Sequence, residues 1–215
     1  MNADKGIVFI VDDDHRVCEA LSDLLSAHGV AAVTFGSVAD YTTYERPDRA
    51  ACLLLDIQLP DVSGLEFQNR IEREDHPPIV FVTGHGDIQS SVSAMKRGAV
   101  DFLTKPFRED ELMSSIQAAV ALDQTLRRQK SELAILRERL SLLTPREREV
   151  LPLVTGGLLN KQAAAELGVS EVTLQIHRSK IMRKMNASSL ADLVRMAEKL
   201  IITTNYSRRA GTIRK

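Results

Sequence analysis

In the first half of the chain, apolar residues come in short unbroken runs. Each run is followed by a stretch where they recur every third or fourth position. Ile7-Val-Phe-Ile-Val11 precedes Val17, Leu21, Leu24 and Leu25, and Ala31-Ala-Val-Thr-Phe35 precedes a weaker helical stretch at Val38–Tyr44. Cys52-Leu-Leu-Leu-Asp56 is followed by Leu65, Phe67 and Ile71, Ile79-Val-Phe-Val-Thr83 by Ile88–Met95, and Asp101-Phe-Leu-Thr104 by Leu112, Ile116 and Ala119. Unbroken runs suit strands covered on both faces, and the spaced positions suit helices with one apolar stripe. Five such units in succession predict an α/β fold, a five-stranded parallel doubly wound sheet, over residues 1–120.

The pattern then changes period. No Gly or Pro occurs from Arg108 to Leu143, so the last helix of the α/β domain can run on as a long helical linker, residues 121–143. Ala119, Leu122, Leu126, Gln129, Leu133, Leu136, Leu140 and Leu143 form an a/d heptad seam in which six of eight positions are leucine. Glu132 and Arg137, five residues apart, have the spacing of an ion pair between two parallel chains. Two readings stand side by side: a homodimer through Leu126, Leu133, Leu136 and Leu140, or a single helix laying its stripe on its own two domains.

Beyond the linker, helix signals crowd together. Thr144-Pro145-Arg146-Glu147 is a capping box with proline at the first helical position, and Gly156-Gly157 closes that helix. Asn160 is expected to cap a helix Lys161–Leu167 that stops at Gly168, and Ser170 a longer one from Glu171 to about Met185. A short helix, a glycine turn and a longer helix predict a small all-α helix-turn-helix domain over residues 144–202. Residues 203–215 read as a disordered basic tail.

Charge separates the two halves. Residues 1–120 hold 10 Lys and Arg against 20 Asp and Glu, a charge of −10; residues 121–215 hold 18 against 9, a charge of +9. An acidic half favours a cation and a basic half favours nucleic acid. At 44% hydrophobic and 27% charged the 215-residue chain is ordinary for a soluble protein, and no apolar run is long enough for a membrane span. Its polar start lacks a signal-peptide core, so a cytoplasmic location is expected. Cys18 and Cys52 are too few for a disulfide framework or a four-ligand zinc site, and suit small core positions.

In a parallel doubly wound sheet ligands bind at the carboxyl ends of the strands. Those ends carry Asp12-Asp13-Asp14, Asp56, Thr83 and Thr104-Lys105-Pro106. Converging carboxylates repel by roughly 1 kcal/mol per pair at about 4 Å in water, rising to about 4 kcal/mol at an effective dielectric of about 20. A hard divalent cation, Mg²⁺ first among them, removes that penalty. A lysine and a threonine hydroxyl supply donors for phosphoryl oxygens. The constellation predicts a Mg²⁺-assisted phosphoryl acceptor with Asp56 as nucleophile.

These residues resemble the response-regulator receiver domain across about residues 5–120. The likeness lies in Val11-Asp12-Asp13, Leu55-Asp56-Ile57-Gln58-Leu59-Pro60 with Gly64, Thr83-Gly84-His85-Gly86-Asp87, and Phe102-Leu-Thr-Lys105-Pro106-Phe107. The resemblance implies that Asp56 is phosphorylated, with Asp12 and Asp13 the acidic pair, and that Asp13, Asp56 and the Gln58 carbonyl hold Mg²⁺. It also implies that Lys105 pairs with the phosphoryl group, that Thr83 hydrogen-bonds it, that Phe102 is an aromatic switch and that the bond before Pro106 is cis. A phosphatase of the haloacid-dehalogenase type also uses a strand-end Asp, but it needs a second Asp two residues on, where this chain has Gln58. Turnover of a small-molecule substrate is therefore not expected.

Projected at 100° per residue, the third helix of the basic domain sorts into faces. Leu174, His177, Ile181 and Met185 share a burying side, while Val172, Gln175, Ile176, Ser179 and Arg183 share the opposite one. Thr173, Lys180 and Lys184 form a stripe suited to phosphates. Gln and Arg read adenine and guanine edges, and Ile176 suits a thymine methyl. The segment resembles the LuxR-type DNA-binding domain of NarL/FixJ-type regulators over residues 141–201. It does so through Leu143-Thr-Pro-Arg-Glu-Arg-Glu-Val-Leu151, Asn160-Lys161-Gln-Ala-Ala164, Leu167-Gly-Val-Ser170 and Val172-Thr-Leu-Gln-Ile-His177-Arg178. The resemblance implies backbone contacts from Lys161 and Thr173, base contacts from Gln175, Ile176 and Ser179, and a C-terminal dimerisation helix around Leu190–Leu200. Lysine is usual where Gln175 stands, which points to a different base preference. Together the two resemblances imply a two-component transcription regulator that a sensor histidine kinase phosphorylates and that binds double-stranded promoter DNA as a dimer.

Overall fold

The computed structural model describes residues 6–71, 76–84 and 87–202. The motif residues His85 and Gly86, the polar start and the tail from Thr203 lie outside the described residues. The chain divides into two compact units, Met1–Arg128 and Gln129–Lys215.

The first unit alternates strand and helix: β1 Ile7–Val11, α1 His15–Ala27, β2 Ala31–Phe35, α2 Val38–Thr43, β3 Ala51–Leu55, α3 Gly64–Arg70, β4 Ile79–Thr83, α4 Ile88–Lys96, β5 Asp101–Thr104 and α5 Glu109–Ser141. All strand pairs are parallel, in the order β2-β1-β3-β4-β5. The sheet is the predicted one. Helix starts are capped by side chains that compete well for orphan amides: Asp14 accepts from Arg16, Ser37 from Asp40 and Asp87 from Ser90.

Alternate strand residues feed two cores. Val8, Ile10, Cys52, Leu54, Val80 and Val82 join Leu21, Leu25, Leu112 and Ile116 on one face, whereas Phe9, Leu53, Leu55 and Phe81 join Val38, Tyr41 and Phe67 on the other. β1, β3 and β4 are buried at every position. The expectation that every strand is covered twice fails at the sheet's edges. Ala31 and Thr34 of β2 and Thr104 of β5 are exposed, because an edge strand has a neighbour on one side only. Cys18 and Cys52 are free, buried core thiols.

α5 is one unbroken helix of 33 residues. Its first turns bury Leu112, Ile116, Ala119 and Val120 in the first unit, and its last turns belong to the second. This corrects the seam. Leu136 is only 4% exposed, and Leu140 and Leu143 pack into the second unit's own core. Leu122 and Leu126 remain exposed, at 42% and 44%, Gln129 is exposed and Leu133 half-buried. Glu132, expected to pair between chains, instead accepts from Lys199 of its own chain at 2.5 Å. Asp123, a buried α5 carboxylate, belongs to no sequence motif. It accepts from the Ala51 amide, at the start of β3, at 2.9 Å and from Arg127 Nε at 2.8 Å.

The second unit adds α6 Pro145–Thr155, α7 Asn160–Glu166, α8 Glu171–Met185 and α9 Leu190–Lys199 around Val150, Leu151, Val154, Leu174, Ile181, Met185 and Leu193. The capping box is formed: Glu147 N donates to Thr144 Oγ1 and Thr144 N to Glu147 Oε2. Gly157 takes φ +86° just past α6, where a side chain would be strained. Asn160 is not the cap of α7 but its first residue; Leu159 is the N-cap, and the Asn160 side chain faces Arg178 instead.

Candidate functional site

Strand order reverses at β1, which lies between β2 and β3, and this switch point opens a crevice at the strands' carboxyl ends. Asp12 and Asp13 leave β1 there, and Asp56 leaves the adjacent β3. The Asp56 amide donates to the Val11 carbonyl at 2.9 Å, which brings the two acidic turns together. Carboxylate oxygens of Asp12, Asp13 and Asp56 lie within 4.8 Å of one another. Asp12 is 3% exposed and Asp56 8%, whereas Asp13 is open to solvent.

Lys105 reaches this cluster from the end of β5, next to a cis Lys105–Pro106 bond, and its own amide donates to the Thr83 carbonyl. Its Nζ donates to Asp12 Oδ2 at 2.5 Å and to Asp56 Oδ2 at 3.1 Å. The remaining oxygens accept from the backbone: Asp12 Oδ1 from Asp14 N and Asp56 Oδ1 from Gln58 N, both at 3.0 Å. Burial pushes the Asp12 carboxyl up, and the bonds from Lys105 and Asp14 only partly offset it, leaving a net rise. Burial pulls the Lys105 ammonium down, but its bonds to Asp12 and Asp56 outweigh that and hold it firmly charged. An acidic set of hard oxygen donors with a single lysine suits Mg²⁺.

Thr83, the last residue of β4, is fully buried. Phe102 is half-buried, its ring centroid 6.2 Å from that of Phe81. Gly64, read only as part of a motif, has a steric reason to be glycine: a Cβ there would stand 2.2 Å from the Asp56 carbonyl oxygen.

In the second unit α8 buries Leu174, Ile181 and Met185, while Val172, Gln175, Ile176, Ser179 and Arg183 are exposed. Ile176, Ser179, Lys180 and Arg183 line one shallow cleft of about 250 Å³. Lys161 is exposed on α7, and Thr173 Oγ1 lies 2.8 Å from the Ser170 hydroxyl at the start of α8. Lys184 departs from the expected phosphate stripe. Its Nζ donates to Glu147 Oε2 at 2.6 Å, and Glu147 is 2% exposed, so the charge is held by a structural pair. Helical projection missed this because the partner lies on α6, 37 residues away. The signal available was Glu147 itself, an acidic residue whose capping role draws it against the domain core.

A doubly wound sheet with an acidic, lysine-bridged rim, in one chain with a capped helix-turn-helix, defines a phosphoacceptor domain coupled to a DNA-binding domain. Residues 8–117 match the response regulator receiver domain family, and residues 141–197 match the luxR family of bacterial regulatory proteins. Nodulation protein W of Bradyrhizobium diazoefficiens is 47% identical over 204 residues, covering 94% of this chain and 90% of that protein. Response regulator protein TodT of Pseudomonas putida is 43% identical over 201 residues, covering 93% and 88%. Among solved structures, response regulator StyR covers 90% of this chain and 98% of its own, at 43% identity and a TM-score of 0.78. Full-length FixJ from B. japonicum covers 94% and 100%, at 32% identity and a TM-score of 0.53. The chain belongs to the response regulator family, as a receiver domain followed by a LuxR-type DNA-binding domain, and its function is phosphorylation-dependent regulation of transcription. Among the described residues no helix is long and apolar enough to cross a membrane.

Proposed function

We propose that Asp56 accepts a phosphoryl group from a sensor histidine kinase and that the modified chain binds promoter DNA as a dimer in the cytoplasm. The observation that carries this reading is Lys105 Nζ, which bridges Asp12 and Asp56 on an otherwise acidic rim. The P–N bond of the kinase's phosphohistidine breaks as a P–O bond forms to Asp56, and the histidine nitrogen keeps the electron pair. Asp12, Asp13, Asp56 and the Gln58 carbonyl would hold Mg²⁺, which when bound offsets the negative charge of the carboxylates and the incoming phosphoryl group. Lys105 then exchanges the Asp56 carboxylate for a phosphoryl oxygen. Thr83 and Phe102 move in response.

At the other end, Gln175, Ile176, Ser179 and Arg183 read base edges, while Lys161, Thr173 and Lys180 hold phosphates. Dimerisation uses the exposed part of the α5 seam, Leu122, Leu126 and Leu133, together with α9. The domains run 1–120, 121–143 and 144–202, the middle segment being helical as far as Ser141. The chain turns over no small-molecule substrate.

Acetyl phosphate with MgCl₂ tests the phosphoacceptor. The wild-type chain gains the mass of one phosphoryl group, and Asp56→Asn gains none. Equal labelling of the two would refute the assignment.

A further inference from the structure

α7 is a seven-residue helix whose N-cap, Leu159, offers no side-chain oxygen. It is fastened at both ends by arginines from other helices. Arg178 on α8 donates from Nη1 to Asn160 Oδ1 at 2.9 Å, at the first residue of α7. Arg146 on α6 donates from Nη2 to the Leu167 carbonyl at 2.6 Å, at its far end, while its Nη1 pairs with Glu149. Lys161, exposed, directly follows Asn160.

On charge alone Arg178 would be a DNA-phosphate ligand, being a basic residue on the third helix of a basic domain. The geometry assigns it another role. Its side chain is half-buried and one arm of its guanidinium is committed to a neutral amide inside the protein. A guanidinium fixes direction as well as distance, because its donors lie in one rigid plane. Phosphate contacts set the register of a protein on the duplex, so the spacing between Lys161 on α7 and the base-reading residues on α8 must be held constant.

We propose that Arg178 is a positioning residue for DNA binding. Through Asn160 it fixes the start of α7, and with it Lys161, against the reading face of α8. This rests on the DNA-reading role given to α8 above.

The test is fluorescence anisotropy of the full chain on a labelled mixed-sequence duplex at low salt, with each variant's folding checked by circular dichroism and its Tm recorded. N160A removes no charge, yet it weakens binding several-fold, as R178A does, and the double variant is no weaker than the worse single one. R178K keeps the charge, loses the planar fork and does not restore affinity. K161A costs less affinity in the R178A background than in wild type. A silent N160A, or losses that add in the double variant, would make Arg178 a direct phosphate contact and overturn the proposal. A lowered Tm with unchanged affinity of the folded protein would reduce the pair to packing and overturn it equally. Wild-type protein that ignores the duplex would instead sink the DNA-reading role itself.

Discussion

Gly64 faces the carbonyl oxygen of Asp56 so closely that a Cβ would stand 2.2 Å from it, and the Gly64 amide also donates to the Ile57 carbonyl at 3.0 Å. The turn carrying the phosphoacceptor is thus pressed against the first residue of α3. Gly64→Ala forces that turn or the helix to shift, at a cost of about 1–3 kcal/mol. Chemical denaturation of the variant should show that loss, with slower phosphorylation by acetyl phosphate. Unchanged stability and labelling would mean the turn is slack.

Lys105 already neutralises part of the acidic rim, so it competes with any cation bound there. Lys105→Met leaves Asp12 and Asp56 facing each other without a counter-charge. The variant should be less stable without Mg²⁺ and gain more from it, each tenfold tightening of Mg²⁺ binding adding about 1.4 kcal/mol. Thermal melts across a MgCl₂ titration read this directly. An equal rise in Tm for variant and wild type would show that lysine and cation do not share the site.

Glu147 and Lys184 make a pH-dependent clamp between α6 and α8. Burial pushes the Glu147 carboxyl up, but the bonds from Lys184 and Thr144 outweigh it and leave it below the ordinary glutamate value. A lowered pKa stabilises the fold above the ordinary value, and that stabilisation is lost as pH falls through the lowered one. Lys184→Met should therefore destabilise the second unit near neutral pH, with the deficit fading as pH falls through the lowered value. It should cost on the order of 2 kcal/mol at neutral pH, below the figure for a fully buried pair because the Lys184 side chain stays 26% exposed. The salt dependence of DNA binding should not change, since this charge meets no phosphate. A shallower salt slope would return Lys184 to the DNA-facing stripe.

Leu122 and Leu126 are the seam residues that α5 leaves uncovered. L122E/L126E should convert a sedimenting dimer to monomer with little change in Tm. Polar substitution of Leu136 should lower Tm, because that side chain is buried, at 4% exposed. A dimer that survives L122E/L126E would place the interface elsewhere, with α9 the first alternative.

The parts of this molecule legible in the sequence are those with a local signature. Unbroken apolar runs marked the strands, and the carboxyl ends of those runs marked Asp12, Asp56 and Lys105, because strand order turns a sequence position into a place on the rim. Capping chemistry marked the starts of α6 and α8. What stayed hidden are polar pairings between distant elements: Asp123 with Ala51, Glu147 with Lys184, and Asn160 with Arg178. Each residue alone reads as a solvated charge or a cap, and only the folded backbone reveals its partner. The heptad left two readings open for a related reason. A leucine stripe has the same period whether it meets a second chain or the core of its own domain, and at Leu140 and Leu143 it meets its own.

In the proposed mechanism, phosphorylation of Asp56 is felt at the recognition helix α8. The most direct measurement is the affinity of the full-length chain for DNA upstream of a regulated gene, with and without acetyl phosphate and MgCl₂, for wild type and Asp56→Asn. Wild-type affinity should change with the donor, and that of Asp56→Asn should not. An identical response in both proteins, or none in a wild type shown to carry the phosphoryl group, would contradict it.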